Sequence, residues 1–537
     1  MSTPLLASRR GFVGGVAVTM LVPAFARGAG ARPVFRRAVA ESERSSWLDV
    51  GRYGARGDGK TIDSLAINRA IEHAARSGGT VFFPAGTYLC HTIRLKSRVT
   101  LHLDRGATIL AAGVPFEGLT SGGYDPAEPV DPTYRDYQDF GHVHWRNALI
   151  SGVDLQDIAI VGGGLIHGEG LARDWHDEDG RAGSRKPGVG DKAIALKNCH
   201  NVLVRDIRIL KGGWFGILAT GVDNLTIDNV TVDTNRDGFD IDCCRNVRVS
   251  NCTVNTPYDD GICPKSSFAL GYARSTENVT ISDCYLSGCY EVGSVVDATW
   301  KRMPPTFNGT GRIKCGTESN GGFKNIAITN CVFENSRGIA LETVDGALLE
   351  DVTISNITMR GSQNSPLFLR LGRRMRGPIG TPVGSLRRIL ISNLTSHDAV
   401  PMPSTIAGVA GHPVEDVHIS DVYLHQQGGL SQTLLHYAPL TAEDAYPEPG
   451  MFGSLPATGI WARHVKNLGC RHVEVATTYP DNRPALWLDN VDGADIFDLR
   501  SPAQAPRIGL DHASDVRVWG SRGAADFASS MSETRLF

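Results

Sequence analysis

A short pattern of alternating aliphatic and other residues, opened by Asn or Asp, recurs along the chain. It reads Asp157-Ile-Ala-Ile, Asn201-Val-Leu-Val, Asn224-Leu-Thr-Ile, Asn246-Val-Arg-Val and Asn278-Val-Thr-Ile, then Asn325-Ile-Ala-Ile, Asp351-Val-Thr-Ile, Arg388-Ile-Leu-Ile and Asp416-Val-His-Ile. Period two predicts short half-buried strands. A second strand usually follows within two or three residues, as in Asn224-Leu-Thr-Ile-Asp-Asn-Val-Thr-Val. Steps between openings are 23, 22, 26 and 28 residues, with longer ones of 32, 37, 44 and 47. One base period with loop insertions marks a solenoid, and strands of this length at one phase predict an all-β, single-stranded right-handed parallel β-helix. A sandwich also has many short strands but does not repeat one motif at constant phase.

One helix interrupts the pattern, from Ser64 to about Ser77, with Asp63 as its expected N-cap and Leu65, Ile67, Ile71 and Ala74 as its apolar face. A solenoid end exposes unpaired strand edges, so an N-terminal capping helix is what this architecture needs. Gly361 to Pro382, rich in Gly, Pro and Arg, reads as a long loop over the coil. After about Leu435 the pattern weakens, with short strand-like runs near Val473, Leu486 and Val516. The expected organisation is therefore a leader over 1–31, a catalytic β-helix over 48–435, and irregular final coils with a cap over 436–537.

The leader reading rests on Ser8-Arg9-Arg10-Gly11-Phe12 before an apolar run from Val13 to Phe25, with Ala24-Phe25-Ala26 as small residues for cleavage. This is the pattern of a twin-arginine export signal, and it implies a periplasmic or extracellular protein. No other run approaches the length of a membrane span, so none is expected. The balance of 54 basic and 57 acidic residues, net −3, argues against a nucleic-acid surface. Eleven cysteines are an odd count. Cys252, Cys284 and Cys331 share one frame in successive repeats, which predicts a stacked ladder of buried thiols rather than disulfides or a metal centre. A monomer is expected, with no cofactor.

The chemistry concentrates in Asn235-Arg236-Asp237-Gly238-Phe239-Asp240 and Tyr258-Asp259-Asp260-Gly261. The two segments are one coil apart, so the carboxylates stack on neighbouring rungs of one face. Carboxylates held this close cannot all ionise cheaply. One keeps a proton and serves as acid while another stays ionised as base, which is the requirement for glycoside hydrolysis. Rungs about 4.8 Å apart, with lateral offset, bring such groups within reach of the roughly 6.5–9.5 Å spacing of an inverting pair. Asp233, Asp240 and Asp242 read as supporting residues.

Asp49 to Ala112, with Val-Gly-Arg-Tyr-Gly-Ala-Arg-Gly-Asp-Gly-Lys-Thr and Phe-Pro-Ala-Gly-Thr-Tyr, closely resembles the N-terminal segment of pectin-degrading β-helix enzymes. With the aspartate motifs, the stretch from Asp49 to Leu430 resembles glycoside hydrolase family 28, the polygalacturonase and rhamnogalacturonase group. That resemblance implies inversion on a pectic poly- or oligosaccharide, with Asp259 as general acid and Asp237 with Asp260 positioning and deprotonating the water. Asn235 belongs to the same motif and is a candidate substrate contact.

The chain also departs from the family, which carries Gly-His-Gly after the paired aspartates and Arg-x-Lys one coil later. Arg312-Ile313-Lys314 looks like the latter. The run Lys314-Cys-Gly-Thr-Glu318-Ser-Asn-Gly-Gly-Phe, however, better fits the turn after the family's histidine. In that register the histidine falls near Gly311, and Arg-x-Lys falls on Ala340 and Glu342. A uronate carboxylate needs a cation, so Lys265, Arg312 and Lys314 are the first candidates, followed by Arg370, Arg373 and Arg374. Glu318 and Glu342 are expected in the same groove, binding hydroxyls or pairing with Arg312 and Lys314. The insert from Gly288 to Gly309, with Tyr290, Glu291, Asp297, Trp300 and Lys301, is expected to wall the groove and favour chain-end cleavage. Trp145, Trp175, Trp214 and Trp300 are candidate sugar platforms, while His142 and His144 read as groove-lining or structural. Two other functions use the same residues: a lyase with Ca²⁺ on the aspartates and a basic residue abstracting the proton, and a non-catalytic carbohydrate-binding coil.

Overall fold

The computed structural model describes residues 47–113, 123–172, 186–430, 440, 443–502, 507–522, 524–531 and 533–537. The expected export signal and Trp175 lie outside them. The chain winds as a right-handed parallel β-helix whose rungs present three strand stacks. The first runs through Lys192–Lys197, Phe215–Thr220, Asp237–Asp242, Ile262–Lys265, Ile313–Cys315, Ile339–Thr343 and Leu367–Leu371. The second, which holds the recurring pattern, runs through His200–Arg205, Asp223–Asp228, Arg245–Ser250, Thr276–Ser282 and Phe323–Thr329. The third has three-residue strands such as Thr231–Asp233, Thr253–Asn255 and Tyr285–Ser287.

The pattern is explained by the corner between the first two stacks. Asp157, Asn201, Asn224, Asn246, Asn278, Asn325, Asp351, Arg388 and Asp416 all have φ between 54° and 60°. This is the left-handed region, which Asn and Asp enter at least cost among residues with a side chain. Each Asn then bonds to the same position on the preceding rung. Asn201 donates to Asp157 at 2.8 Å, Asn224 to Asn201 at 2.9 Å, Asn246 to Asn224 at 3.2 Å, Asn278 to Asn246 at 3.0 Å and Asn325 to Asn278 at 2.8 Å. Inward positions stack in register behind this ladder: Ile158, Val202, Leu225, Val247, Val279, Ile326, Val352, Ile389 and Val417. All eleven cysteines are unpaired and buried, and Cys252, Cys284 and Cys331 lie in this core as expected.

The capping helix is Ser64–Ala74, shorter than expected. Ile67, Ala70, Ile71 and Ala74 close the end of the core, whereas Leu65 is 69% exposed and does not belong to the apolar face. Asp63 occupies the N-cap position but makes no capping bond. Its carboxylate instead accepts from the backbone N–H groups of Arg56 at 2.8 Å and Gly57 at 3.0 Å, tying down the preceding turn. At the other end parallel pairing continues well past residue 435, through Ile460–Tyr479 and Leu486–Arg500 to Ala513–Trp519. These coils are regular. Two antiparallel strands, Phe527–Met531 and Arg535–Leu536, then cover the last edges.

In the first stack the alternation fails because both faces of the strands are covered. Strands of the first stack, such as Asp237–Asp242, Ile262–Lys265 and Ile339–Thr343, are buried on both faces. Loops cover their outward side, which places Asp237, Asp240, Asp242, Lys265, Lys314 and Glu342 out of water.

Asn224→Ala keeps the strand but forces Ala into the left-handed region and removes two ladder bonds. The expected loss is about 2 kcal/mol. Asn224→Gly removes only the bonds and is expected to lose about 1 kcal/mol. Thermal or denaturant midpoints rank the two, and equal losses would contradict the backbone argument.

Candidate active site

Asp237 opens its strand, and Asp259-Asp260 form the turn before the next strand of the same stack, with Gly238 N–H bonded to the Asp260 carbonyl at 3.0 Å. One carboxylate oxygen from each of Asp237, Asp259 and Asp260 lies within 4.8 Å of the other two. The paired residues turn directly over the start of the Asp237 strand, which brings the three groups together. The nearest-oxygen distance is a lower bound on the separation of the groups.

The three have different electrostatic surroundings. Burial, then the Asp259 and Asp240 carboxylates, push Asp237 well above the usual carboxylate range, with Lys265 opposing. Burial also acts on Asp260, but Arg312 and Lys314 outweigh it and hold it below that range. Arg312 Nε donates to Asp260 Oδ1 at 2.6 Å, and Lys314 Nζ lies 2.8 Å from Oδ2. Asp259 is the accessible member, its side chain 25% exposed, and Arg236 approaches it at 3.0 Å. Arg236 in turn lies 5.3 Å over the ring of Trp214. Trp214 and Trp145 are core residues, so neither is a sugar platform. Trp300 packs edge-on against Tyr290 within the insert.

Register places Arg312-Ile313-Lys314 on the rung after the paired aspartates. Ile313 pairs with Ile262 of the strand after the paired aspartates and with Ile339 of the following one. Arg312 and Lys314 therefore stand one rung beyond Asp260, and Ala340 and Glu342 two rungs beyond. Arg312 also binds Glu448 through NH2 at 2.6 Å and NH1 at 3.3 Å, and Lys314 Nζ donates to the Tyr446 hydroxyl at 3.0 Å. Tyr446 and Glu448 come from a Pro-rich loop more than 120 residues away, and strand periodicity carried no signal for them.

Other candidates are occupied in ways the residue pattern did not foresee. Lys265 Nζ is buried, 3.3 Å from Glu318 and 3.9 Å from Asp240, so it is not a free uronate contact. Glu318 pairs with Lys265 and with Arg374 at 4.0 Å rather than with Arg312 or Lys314. Burial raises Glu318, but Lys265, His142 and Arg374 bring it well below its ordinary range. Arg374 is chiefly held by Asp345 at 2.5 Å, Arg370 by the Gly408 carbonyl at 2.9 Å, and exposed Arg373 by Glu443 at 3.5 Å. Among the described residues Glu342 makes no ion pair. Its Oε2 accepts from Thr317 Oγ1 at 3.1 Å, and burial lifts it to about 7 against the pull of Lys314 and Arg312.

His142 and His144 each meet a carboxylate, Asp240 at 2.9 Å and Asp191 at 2.8 Å, which fits the structural reading. Asp242 binds the backbone and hydroxyl of Ser267 at 2.8 and 2.6 Å. Asp233 anchors the insert by accepting from the N–H groups of Gly293 at 2.8 Å and Val295 at 2.9 Å. The insert does wall a cleft. Glu291, Val292 and Met303 line a cavity of about 270 Å³ with Lys211, Asn235 and Tyr258, beside the aspartates. A larger concavity of about 640 Å³ lies on the second stack, lined by residues including Asp351, Arg388, Asp416 and His418 and by none of Asp237, Asp259 and Asp260.

Two family models match in succession: rhamnogalacturonase A/epimerase, pectate lyase-like, over residues 47–118, and glycosyl hydrolases family 28 over 117–303. A probable polygalacturonase of Vitis vinifera is 22% identical over 395 residues, covering 70% of this chain and 73% of its own length. Exo-poly-alpha-D-galacturonosidase of Dickeya chrysanthemi is 24% identical over 396 residues, covering 59% of this chain and 63% of that protein, under two thirds of its length. The exopolygalacturonase of Thermotoga maritima superposes with a TM-score of 0.58 at 19% identity over 81% of this chain and 92% of its own, a likeness of fold. Fold and relatives define a hydrolase of O-glycosyl bonds. Over residues 117–303 the chain is similar to glycoside hydrolase family 28, and over a longer stretch it is similar at low identity to polygalacturonases. The family match contains Asp237, Asp259, Asp260 and Lys265 and ends before Arg312, Lys314, Glu318 and Glu342.

Glu342 makes stability depend on pH. Its folded value of about 7 exceeds the ordinary 4.5, so its stabilising contribution is complete below about 4.5 and is lost as pH rises towards 7. The loss is about 3 kcal/mol at roughly 1.36 kcal/mol per pKa unit. Glu342→Gln, which cannot ionise, is expected to flatten this part of the stability profile. Parallel profiles for the two proteins in denaturant titrations from pH 4.5 to 7.5 would refute it.

Proposed function

We propose that the protein is an exported glycosidase that hydrolyses a pectic poly- or oligosaccharide with inversion, using Asp237, Asp259 and Asp260. The export clause rests on the Ser8-Arg9-Arg10-Gly11-Phe12 motif. The observation that carries the catalytic reading is the opposed electrostatics of three carboxylates in one small cluster: Asp237 is driven towards its neutral form and Asp260 is held ionised. Such divergence gives the two carboxylates different tasks, Asp237 taking up a proton more readily than Asp260.

Asp260, with an oxygen on Arg312 and the other on Lys314, is too weak a base to take a proton and orients the water. Asp259, the exposed member, delivers a proton to the glycosidic oxygen, and Asp237, whose raised proton affinity makes it the stronger base, receives the proton of the attacking water. The carbon–oxygen bond to the leaving sugar breaks as the water oxygen bonds to the anomeric carbon. The insert on one side and the Tyr446–Glu448 loop on the other favour cleavage near a chain end.

The lyase reading has less support. Arg312 and Lys314 already neutralise Asp260, where that mechanism needs a divalent cation, and neither is free to act as the base. The charge-differentiated cluster also argues against a coil that only binds sugar.

Asp259→Asn is expected to lower kcat on a pectic substrate by about 10³-fold while the thermal midpoint stays near that of the parent. Asp237→Asn is expected to do the same. Near-parental rates in Asp259→Asn would remove it from the acid role. Proton NMR of the first product is expected to show the inverted anomer, and a retained anomer would assign an aspartate as nucleophile. An ultraviolet-absorbing unsaturated product, lost on chelation, would establish a lyase.

A further inference from the structure

The two cations beside the aspartates are already used by the protein. A guanidinium recognises a carboxylate through a free edge of its fork. Arg312 has no such edge, because Nε is bonded to Asp260 at 2.6 Å while NH2 and NH1 hold both oxygens of Glu448 at 2.6 and 3.3 Å. Lys314 Nζ is shared between Asp260 Oδ2 at 2.8 Å and the Tyr446 hydroxyl at 3.0 Å. Arg337 and Asn364 support Glu448 at 3.6 and 3.2 Å, so its carboxylate is fixed where a substrate carboxylate would otherwise sit.

The charges close locally. Arg312 and Lys314 are already paired with Asp260 and Glu448, and Arg337, 26% of its side chain exposed, holds Glu448 from its outer side, so a substrate carboxylate would have to displace a pair already made. The next rung adds Glu342, fully buried. Its Oε2 accepts from Thr317, and its Oε1 has no hydrogen-bond partner among the described residues. As a neutral acid it offers one donor and spare acceptor capacity to hydroxyl groups. Thr317 Oγ1 also lies 3.1 Å from the Tyr446 hydroxyl. Tyr446, 49% exposed, and Glu448, with 27% of its side chain exposed, form the solvent-facing lip over Thr317 and Glu342.

We infer that the sugar seated on the Arg312–Glu342 side of the aspartates is uncharged, a neutral hexose or deoxyhexose rather than a uronate. Glu342, Thr317 and Tyr446 bind its hydroxyls, and Glu448 turns uronates away by occupying Arg312. This rests on the reading of the protein as a pectic glycosidase and narrows it to linkages with a neutral sugar on that side. A neutral sugar also presents an apolar C–H face to the exposed Tyr446 ring.

The full chain is assayed for reducing-end release on three oligosaccharides of equal length: an oligogalacturonate, an alternating rhamnose–galacturonate oligomer, and a neutral galactan. The alternating oligomer or the galactan is expected to be cleaved with kcat/KM at least about tenfold above the oligogalacturonate. Glu448→Gln, which releases the guanidinium edge, is expected to raise kcat/KM on the oligogalacturonate about tenfold, mainly through KM. Equal or faster cleavage of the oligogalacturonate by the parent protein overturns the inference and leaves the glycosidase reading standing. Cleavage of none of the three overturns that reading and the inference with it. The parent panel decides the matter even if Glu448→Gln does not fold.

Discussion

Each rung of this coil turns its corner on one residue held in the left-handed backbone region, and everything else in the molecule depends on that turn recurring in register. The amide of each corner Asn bonds to the corner before it, so the lateral position of every strand is set by the strand beneath. A shift of one residue would send a strand's inward aliphatic row to the outside. It would also move Asp237 away from the Asp259–Asp260 turn. The ladder is exposed and each bond is individually weak, yet repetition makes the register definite.

On that frame the protein can bury charge. Strands of the first stack are covered outside and inside, so their outward side chains sit in low dielectric and must be compensated on the spot. The compensation is nearly complete: Asp260 by Arg312 and Lys314, Lys265 by Glu318 and Asp240, Glu318 and Asp345 by Arg374. Asp237, Asp242 and Glu342 have no cation of their own among the described residues, and all three are shifted towards the neutral acid. Ser267 satisfies Asp242, while the proposed function gives Asp237 to chemistry and Glu342 to recognition.

Much of the architecture was legible in the residue pattern, because a corner needs Asn or Asp and a core-facing strand needs period two. The aspartates were legible for a related reason: adjacent acids at a turn repel and need a purpose. What surrounds them was not. Lys265, Arg312 and Lys314 look like free cations in sequence, and only register shows that each already has a carboxylate. Leu65 satisfies a helical spacing but falls on the solvent side, and Asp63 is drawn to nearer backbone donors. Tyr446 and Glu448 belong to no repeat. Their importance comes from where a loop lands, which depends on the sum of many rungs.

The Tyr446–Glu448 loop has a consequence for how the site is assembled and altered. Arg312 and Glu448 are 136 residues apart, and Lys314 and Tyr446 are 132 apart. A coil grows by adding rungs to rungs, so the aspartates can be in place while the cations beside them still face water. The groove matures only when the last third of the chain has closed over it. On the proposed function the chemistry resides in the contiguous rungs and the choice of sugar in a loop far along the chain, so the second could change by insertion or substitution without disturbing the stack that performs the first.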